Sequence, residues 1–258
     1  MIYKILTLIV TLFLFFVIEN FLPYYENRTF KKRIIYSIQN IIIALLNGIL
    51  TFFIFSFLYF KSYNFINNNS LGIINLFKMH YTAEVIIGFL LLDLWTYFWH
   101  FINHNSKFLW RFHRAHHSDI EMDSTTAIRF HTGEIIMSSI LKIPVFILIG
   151  INPLIVIIHE ITLNILTIFH HSNINLPESI DRILRTVIVT PNMHRVHHSQ
   201  VMEETNSNYT SIFSVWDRLF RTFRINNDTM SIKLGLKEFV DDKWQNLWGI
   251  IKTPSVNV

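Results

Sequence analysis

Residues 109–118 read LWRFHRAHHS and residues 190–199 read TPNMHRVHHS, so the chain carries the pattern H-x-x-H-H twice. On a helix, residues i, i+3 and i+4 share a face, so each copy predicts three imidazoles that project in the same direction. The chain has 13 His among 258 residues, and chance alone does not account for two such copies. The repeated stretch therefore predicts a functional cluster and not surface decoration.

A third histidine pair belongs with these copies, in DLWTYFWHFINH at residues 93–104. Imidazole is the commonest protein metal ligand and binds metal in its neutral form. One tetrahedral zinc needs only three or four protein ligands, so eight histidines argue for two metal ions. The absence of Cys excludes thiolate ligands, but ligand type alone leaves iron, zinc, copper and nickel open. The eight candidates are His100, His104, His113, His116, His117, His194, His197 and His198.

Weaker candidates lie near these boxes. FHHSN at 169–173 supplies a ninth ligand, with His171 preferred over His170, and Asn164 lies one heptad before His171. RFHTGE at 129–134 places His131 and Glu134 one turn apart, as metal ligands, as groups that support a ligand, or as a helix cap.

Two further sites carry ionisable residues inside apolar segments. Asp93 is predicted to accept the outer ring N–H of His100 or His104, because an unpaired carboxylate in a membrane segment is costly. Pairing with an Arg is the alternative for Asp93. The adjacent His159 and Glu160 are either functional groups or a structural hydrogen-bonding pair.

The composition predicts a membrane protein. Hydrophobic residues make up 51% of the chain and charged residues 16%, with 24 Phe and a mean hydropathy of +0.36. A soluble core of this size cannot hide so much apolar surface. The N-terminal run is predicted to be a retained helix and not a cleaved signal, because it lacks small residues at a cleavage site. Five segments are long enough to cross or enter a bilayer: 3–22, 34–60, 83–103, 133–150 and 153–171.

Basic residues predict the orientation of these segments. The loop at 23–33 contains four basic residues, whereas the longer connection at 61–82 contains two. Because cytoplasmic loops are enriched in Lys and Arg, the first loop is predicted to be cytoplasmic, and counting spans brings every histidine box to the same cytoplasmic face. The residues counted are Arg28, Lys31, Lys32 and Arg33 against Lys61 and Lys78.

The fold class follows from these patterns. We predict an all-α, multi-pass integral membrane bundle of four or five membrane segments, with a cytoplasmic helical cap that carries the histidine boxes. The formal charge of +4 is not gathered into one face or tract, so no nucleic-acid partner is expected.

At the histidine boxes the sequence resembles the sterol desaturase and fatty acid hydroxylase superfamily of membrane enzymes. The resemblance runs from about residue 85 to 225 and includes WDRLFRTF at 216–223. It divides the chain into N-terminal transmembrane helices with an exterior loop (1–82), a catalytic domain (83–225) and a cytoplasmic tail (226–258). Departures are Arg221 and Thr210 where the family has Gly, and Thr132 where it has Pro.

The resemblance implies a chemistry and its partners. It implies two iron ions that activate dioxygen to hydroxylate or desaturate a C–H bond of a membrane lipid, with no catalytic residue beyond the metal centre. No G-x-G-x-x-G fingerprint is present, so electrons are expected from a separate ferredoxin or b-type cytochrome that docks on a basic surface near Arg111, Arg114 and Arg195. The ligands carried over from the family are His100, His104, His113, His116, His117, His171, His194, His197 and His198.

Three other functions are compatible with a histidine-rich membrane protein. A metal or proton transporter is expected to spread its ligands along the spans and not to gather them at one face. A zinc-dependent membrane hydrolase usually carries H-E-x-x-H, and neither box here has a Glu between its histidines. An inactive structural relative is disfavoured because all the boxes are intact.

Overall fold

The computed structural model describes residues 2–25 and 29–256, and its regular secondary structure is helical. Within these ranges the only β-type pairing is three isolated bridges, as the all-α prediction requires. The helices are α1 (Ile2–Phe21), α2 (Phe30–Asn69), α3 (Tyr81–Asn105), α4 (Lys107–His117), α5 (Thr132–Ile149), α6 (Pro153–His171), α7 (Glu178–Leu184), α8 (Pro191–His197), α9 (Met202–Thr205), α10 (Val215–Leu219) and α11 (Leu247–Lys252).

Five of the helices, α1, α2, α3, α5 and α6, are long and apolar enough to cross a membrane, and they match the five predicted segments. Their outer faces carry exposed large apolar side chains such as Phe13 and Phe53. Such a surface is stable only against lipid. The chain is thus a multi-pass helical membrane protein. The second helix is longer than predicted. Its 40 residues extend to about 60 Å, so it projects beyond the hydrocarbon.

Buried polar side chains of α2 attach it to the rest of the bundle. Asn40 Nδ2 donates to Thr125 Oγ1 at 2.9 Å, and Asn47 Nδ2 donates to the carbonyl of Phe130 at 2.9 Å. Because lipid cannot satisfy these groups, their bonds fix the register of α2 against the chain segment that precedes α5.

Helices α5 and α6 form a hairpin that turns at Gly150, whose φ of +77° is a left-handed conformation suited to glycine. Gly72, at φ +97°, lies directly against this turn, and a Cβ added to it would come within 2.1 Å of the Gly150 nitrogen. The close approach of these two glycines joins the end of α2 to the hairpin at the far end of the bundle.

The opposite end of the bundle carries a layer of shorter helices. Both α3 and α6 end there, and α1 ends beside α6, since the Tyr24 N–H donates to the Asn173 carbonyl at 2.9 Å. The buried Glu19 of α1 accepts backbone N–H groups of Ser124 and Asn173, each at 2.7 Å, and pairs with Arg33. Arg28, one of the basic residues counted for orientation, lies outside the described residues.

Candidate metal centre

Local sequence signals place the histidine helices at this end of the bundle. Ser106 ends α3, and its hydroxyl caps α4 by accepting from the Leu109 N–H at 3.4 Å. Thr190 caps α8 in the same way, and Pro191 occupies its first turn, where a missing N–H costs nothing. Helices α4 and α8 therefore begin at defined points and lie over the ends of α3 and α6.

The nine predicted ligands come together in two groups. In each group the side chains offer ring nitrogens that all lie within 4.8 Å of one another. Seven of the nine side chains are buried, and His100 and His104 are half-buried. Cluster A contains His100, His104, His113, His117 and His197, and cluster B contains His116, His171, His194 and His198.

The two H-x-x-H-H copies divide their histidines between the clusters. In α4 the first and last histidines, His113 and His117, lie in cluster A and His116 lies in cluster B. The second copy does the reverse, because His194 and His198 lie in cluster B and its middle histidine in cluster A. Each copy therefore contributes to both clusters.

The geometry of the pair His100 and His197 indicates that cluster A fits a cation. Their Nε2 atoms lie 3.0 Å apart. Each ring also donates its Nδ1–H to a backbone carbonyl, His100 to Tyr209 at 2.7 Å and His197 to Ser207 at 2.6 Å. A neutral ring that donates from Nδ1 has only a lone pair at Nε2. Two lone pairs facing at this distance repel each other unless they share a cation, so this pair fits a metal ion.

The electrostatics of the cap favour the neutral form of the rings. Burial, reinforced by neighbouring imidazoles, lowers the pKa of four of these histidines well below its usual value of 6.5. Burial likewise lowers the pKa of His197 to about 3. Neutral imidazole is the form that binds metal, so these rings are ready to do so at physiological pH. The four are His116, His117, His194 and His198.

Partners outside the clusters orient several of the cluster rings. The buried carboxylate of Glu134 accepts the Nδ1–H of His113 at 2.9 Å, and His171 donates its Nδ1–H to the Thr167 carbonyl at 2.7 Å. Such bonds leave Nε2 free to face the cluster and raise its basicity. Glu134, predicted as a ligand or supporting group, thus contacts a cluster A histidine.

The structure places Asp93 elsewhere than predicted. Its carboxylate accepts from the indole Nε1 of Trp216 at 2.8 Å and from the backbone N–H of Phe213 at 3.2 Å, and it bonds to neither His100 nor His104. Asp93 precedes His100 by seven residues, which is about 10 Å along α3. Asp93 instead attaches the segment around α10 to α3.

The other weak candidates occupy different positions. His131 lies outside both clusters and caps α5, since its Nδ1 accepts from the Gly133 N–H at 2.9 Å. His170 is also outside them, yet its buried ring lies with its centroid 4.1 Å from that of His194. Asn164 lines a cavity beside the clusters. Whether any of the three supports a metal stays a prediction.

Asp217 is a supporting residue that the sequence argument missed. Its buried carboxylate accepts from the backbone N–H of Tyr209 at 2.8 Å and from the hydroxyl of Thr222 at 2.8 Å. Tyr209 is the residue whose carbonyl accepts from His100, so Asp217 positions a cluster A ring through one intervening residue. The signal was present in the WDRLF motif, which was used only for its resemblance.

Two residues that depart from the family pattern, Arg221 and Thr132, fit their local surroundings. Arg221 stands where the family has Gly and adopts a left-handed φ of +62°, the conformation that a glycine there would supply. Thr132, in place of Pro, donates its hydroxyl to Asn47 Oδ1 at 2.7 Å and adds a bond between α5 and α2.

Two of the three arginines assigned to the docking surface are buried. Arg195 lies with its guanidinium 3.7 Å from the ring centroid of Tyr24 and donates to the Ile174 carbonyl at 2.8 Å. Burial lowers the pKa of Arg195 to about 10. Arg114 donates to the carbonyls of Thr253 and Val256. Sequence alone could not show this burial, and only Arg111 of the three is exposed.

An apolar cavity of about 230 Å³ runs from the clusters into the membrane bundle. Trp95, Trp99 and Phe130 are among its aromatic walls, and Phe130 stacks on the ring of His116 at 4.5 Å. The cavity exposes rings of both clusters, including His113 and His171, to a space surrounded by membrane helices.

A family model described as fatty acid hydroxylase matches residues 85–222, which include every histidine of both clusters. The chain belongs to the fatty acid hydroxylase family. This result confirms the resemblance predicted from the histidine boxes. Members of the wider sterol desaturase and fatty acid hydroxylase superfamily are also among the curated proteins that it matches.

Ornithine lipid hydroxylase of Rhizobium tropici is 32% identical over 143 residues, covering 54% of this chain and 41% of that protein. Alkylglycerol monooxygenase of Homo sapiens is 31% identical over 143 residues, which cover 55% of this chain and 31% of that protein. Cholesterol 25-hydroxylase of Rattus norvegicus is 24% identical over 144 residues, which cover 55% of this chain and 47% of that protein. The chain thus spans less than half the length of each of these relatives. No solved structure matches it significantly.

Proposed function

We propose that this fatty acid hydroxylase family member hydroxylates a C–H bond of a membrane lipid, using dioxygen and external electrons. One observation carries the proposal: two histidine clusters of metal-binding geometry open into an apolar cavity between membrane helices. Lipid oxygenation needs this combination of a redox metal centre and a water-poor hydrocarbon site.

We propose that the two clusters each hold one iron ion. The facing lone pairs of His100 and His197 show that the residues fit a cation, and the five and four ring nitrogens of the clusters suit imidazole-bound iron. Bound iron would supply the activation of dioxygen and the removal of hydrogen from the substrate chain.

The protein's own residues would position the substrate and exclude water. The indoles of Trp95 and Trp99 would guide the chain along the cavity, and Phe130, stacked on the ring of His116, would form part of the wall that the chain contacts. Glu134 and Asp217 would keep the rings of His113 and His100 in place while the chain enters. Removing water from such a site protects a reactive centre from side reactions.

The cavity supports a single-chain substrate over a fused-ring sterol. Its volume of about 230 Å³ is below the roughly 300–1,000 Å³ of pockets that enclose a drug-sized molecule, so only part of a lipid fits inside. A flexible chain can leave the rest of its length outside the cavity, whereas a fused-ring system must enter as a rigid unit. Relatives named for ornithine lipid and alkylglycerol are also more similar to this chain, at 32% and 31% identity, than cholesterol 25-hydroxylase at 24%.

The orientation and the electron donor belong to the same proposal. The clusters lie at the end of the bundle where α1 joins α2, and the exposed Lys31 and Lys32 of that end support a cytoplasmic location. A ferredoxin or b-type cytochrome would dock there on exposed basic residues that include Arg111.

Purified protein in detergent tests the proposal by metal analysis and by lipid oxidation under isotopically labelled dioxygen. About two iron ions per chain and labelled oxygen in a lipid product are expected, and His116→Ala should lower the iron content and lose the labelled product. Bound zinc without oxygen incorporation would contradict the proposal and favour a hydrolase, and an iron content well below two per chain would contradict the paired metal centre.

A further inference from the structure

A charged cluster lies on three membrane helices, away from the histidines, with the side chain of Glu160 23% exposed and those of Lys4 and Lys142 45% and 31% exposed. Glu160 of α6 accepts from Lys4 of α1 at 2.6 Å and from Lys142 of α5 at 3.4 Å. Two ammonium groups against one carboxylate leave a net charge of +1. Such a charge is expensive among hydrocarbon and is therefore expected to have a role.

Neighbouring polar atoms lack partners. His159 is only 4% exposed, and no group in residues 2–25 or 29–256 hydrogen-bonds to its Nε2. The same ranges hold no partner for the Nδ2 of Asn164, one helical turn nearer the histidines. An amide nitrogen and an ammonium group only donate. We call Lys4, Lys142, His159, Glu160 and Asn164 the polar station.

The polar station and the histidine clusters share one cavity. Lys142, His159, Glu160 and Asn164 line the same 230 Å³ space as His171 of cluster B. Glu160 and His171 are eleven residues apart on α6, so the two ends of the cavity are separated by about 16 Å along the helix. A molecule that occupies the cavity reaches both.

We propose that the polar station binds the anionic headgroup, a carboxylate or a phosphate, of a single-chain lipid whose chain extends to the histidine clusters. Unmatched donors and excess positive charge both require an acceptor that carries negative charge. If the methyl end of the lipid lay at the polar station instead of the headgroup, these buried donors would remain unpaired. The inference rests on the proposed function in taking this cavity as the substrate site, and it places the oxidised carbon about 16 Å from the headgroup.

Lys142→Met is the variant best suited to a test. It removes the excess charge but leaves Glu160 paired with Lys4, so no lone carboxylate is buried. The matched control is Lys78→Met, in the exposed connection before α3. Radiolabelled hexadecanoate and hexadecyl phosphate serve as the two anionic probes, and methyl hexadecanoate is the uncharged probe with the same chain.

Equilibrium binding to the metal-loaded protein in detergent measures the effect. The full protein should bind one or both anionic probes more tightly than the ester, and Lys142→Met should weaken anion binding roughly tenfold or more without changing ester binding. The stronger anion identifies the headgroup. Equal binding of all three probes, or a parallel loss of ester binding in Lys142→Met, would overturn the inference and leave the station a structural contact between helices. Metal content is measured separately, so failure of the oxygenase proposal remains distinguishable.

Discussion

His116 of α4 and His197 of α8 occupy the same middle position in their H-x-x-H-H copies, yet they lie in opposite clusters. The two copies are therefore related by exchange: each gives two rings to one cluster and one ring to the other. Neither copy builds a complete cluster alone, so the repeat forms two crossed halves of one candidate metal centre.

This exchange predicts different results for matched alanine variants. His116→Ala leaves three rings in cluster B, whereas His197→Ala leaves four in cluster A. We expect both variants to fall below the iron content of the full protein, with the larger loss in His116→Ala, because three or four protein ligands are the minimum for a stable site. Elemental analysis per chain measures this. His80→Asn, at the exposed cap of α3, is the control and should keep full content. Unchanged iron in both cluster variants would contradict the assignment.

The bond between Glu134 and His113 predicts an effect on metal affinity. Glu134→Gln keeps an acceptor for the ring N–H but removes the charge that makes the ring more basic. We expect metal affinity to fall about 10- to 100-fold, as for other partners of ligand histidines. Competition with a chelator measures the affinity, with the exposed Glu203→Gln as control. Equal affinities in the two variants would show that the carboxylate has no influence on the metal.

The contacts of Asp93 predict that its substitution lowers the stability of the protein but not its metal affinity. Asp93→Ala leaves the indole N–H of the half-buried Trp216 without its acceptor, which should cost about 1 kcal/mol of unfolding free energy. Asp93→Asn keeps an acceptor and should restore most of it. Thermal unfolding in detergent measures the stability, and chelator competition measures the metal. A specific fall in metal affinity in Asp93→Asn would instead support the role predicted from sequence.

Two arginines bind the C-terminal segment, and we expect their loss to expose it to proteolysis to different degrees. Buried Arg114 donates to the carbonyls of Thr253 and Val256, whereas exposed Arg111 donates to the Pro254 carbonyl at 2.8 Å. We expect Arg114→Met to release the segment after α11 to limited proteolysis, because three hydrogen bonds to the carbonyls of Thr253 and Val256 are lost. Arg111→Met should have a much smaller effect. Equal cleavage rates in both variants would argue that other contacts hold the segment.

The spans and the histidine clusters could be predicted because they depend on local regularities. Apolar length identifies membrane helices, and i, i+3, i+4 spacing places rings on one helix face. Those rules hold within one helix, so they brought His113, His116 and His117 together correctly. They could not assign His116 to a different cluster from its neighbours, since that depends on how α4 crosses α8.

Other features escaped prediction because they depend on distant parts of the chain. Asp93 meets Trp216 across 123 positions of sequence. Arg114 was expected at the surface, but it is covered by a C-terminal segment that no local pattern linked to α4. A buried Arg and an exposed one look alike in sequence, since only the tertiary partners differ.

The contacts of Glu19 have a consequence for the order of assembly. This carboxylate, at the end of the first helix, is satisfied by backbone groups 105 and 154 residues later in the chain. During synthesis α1 enters the membrane long before Ser124 and Asn173 exist, so until then Arg33 is the partner nearest to Glu19 in the described sequence. Final docking of α1 must therefore follow completion of α6, although α1 is made well before α6.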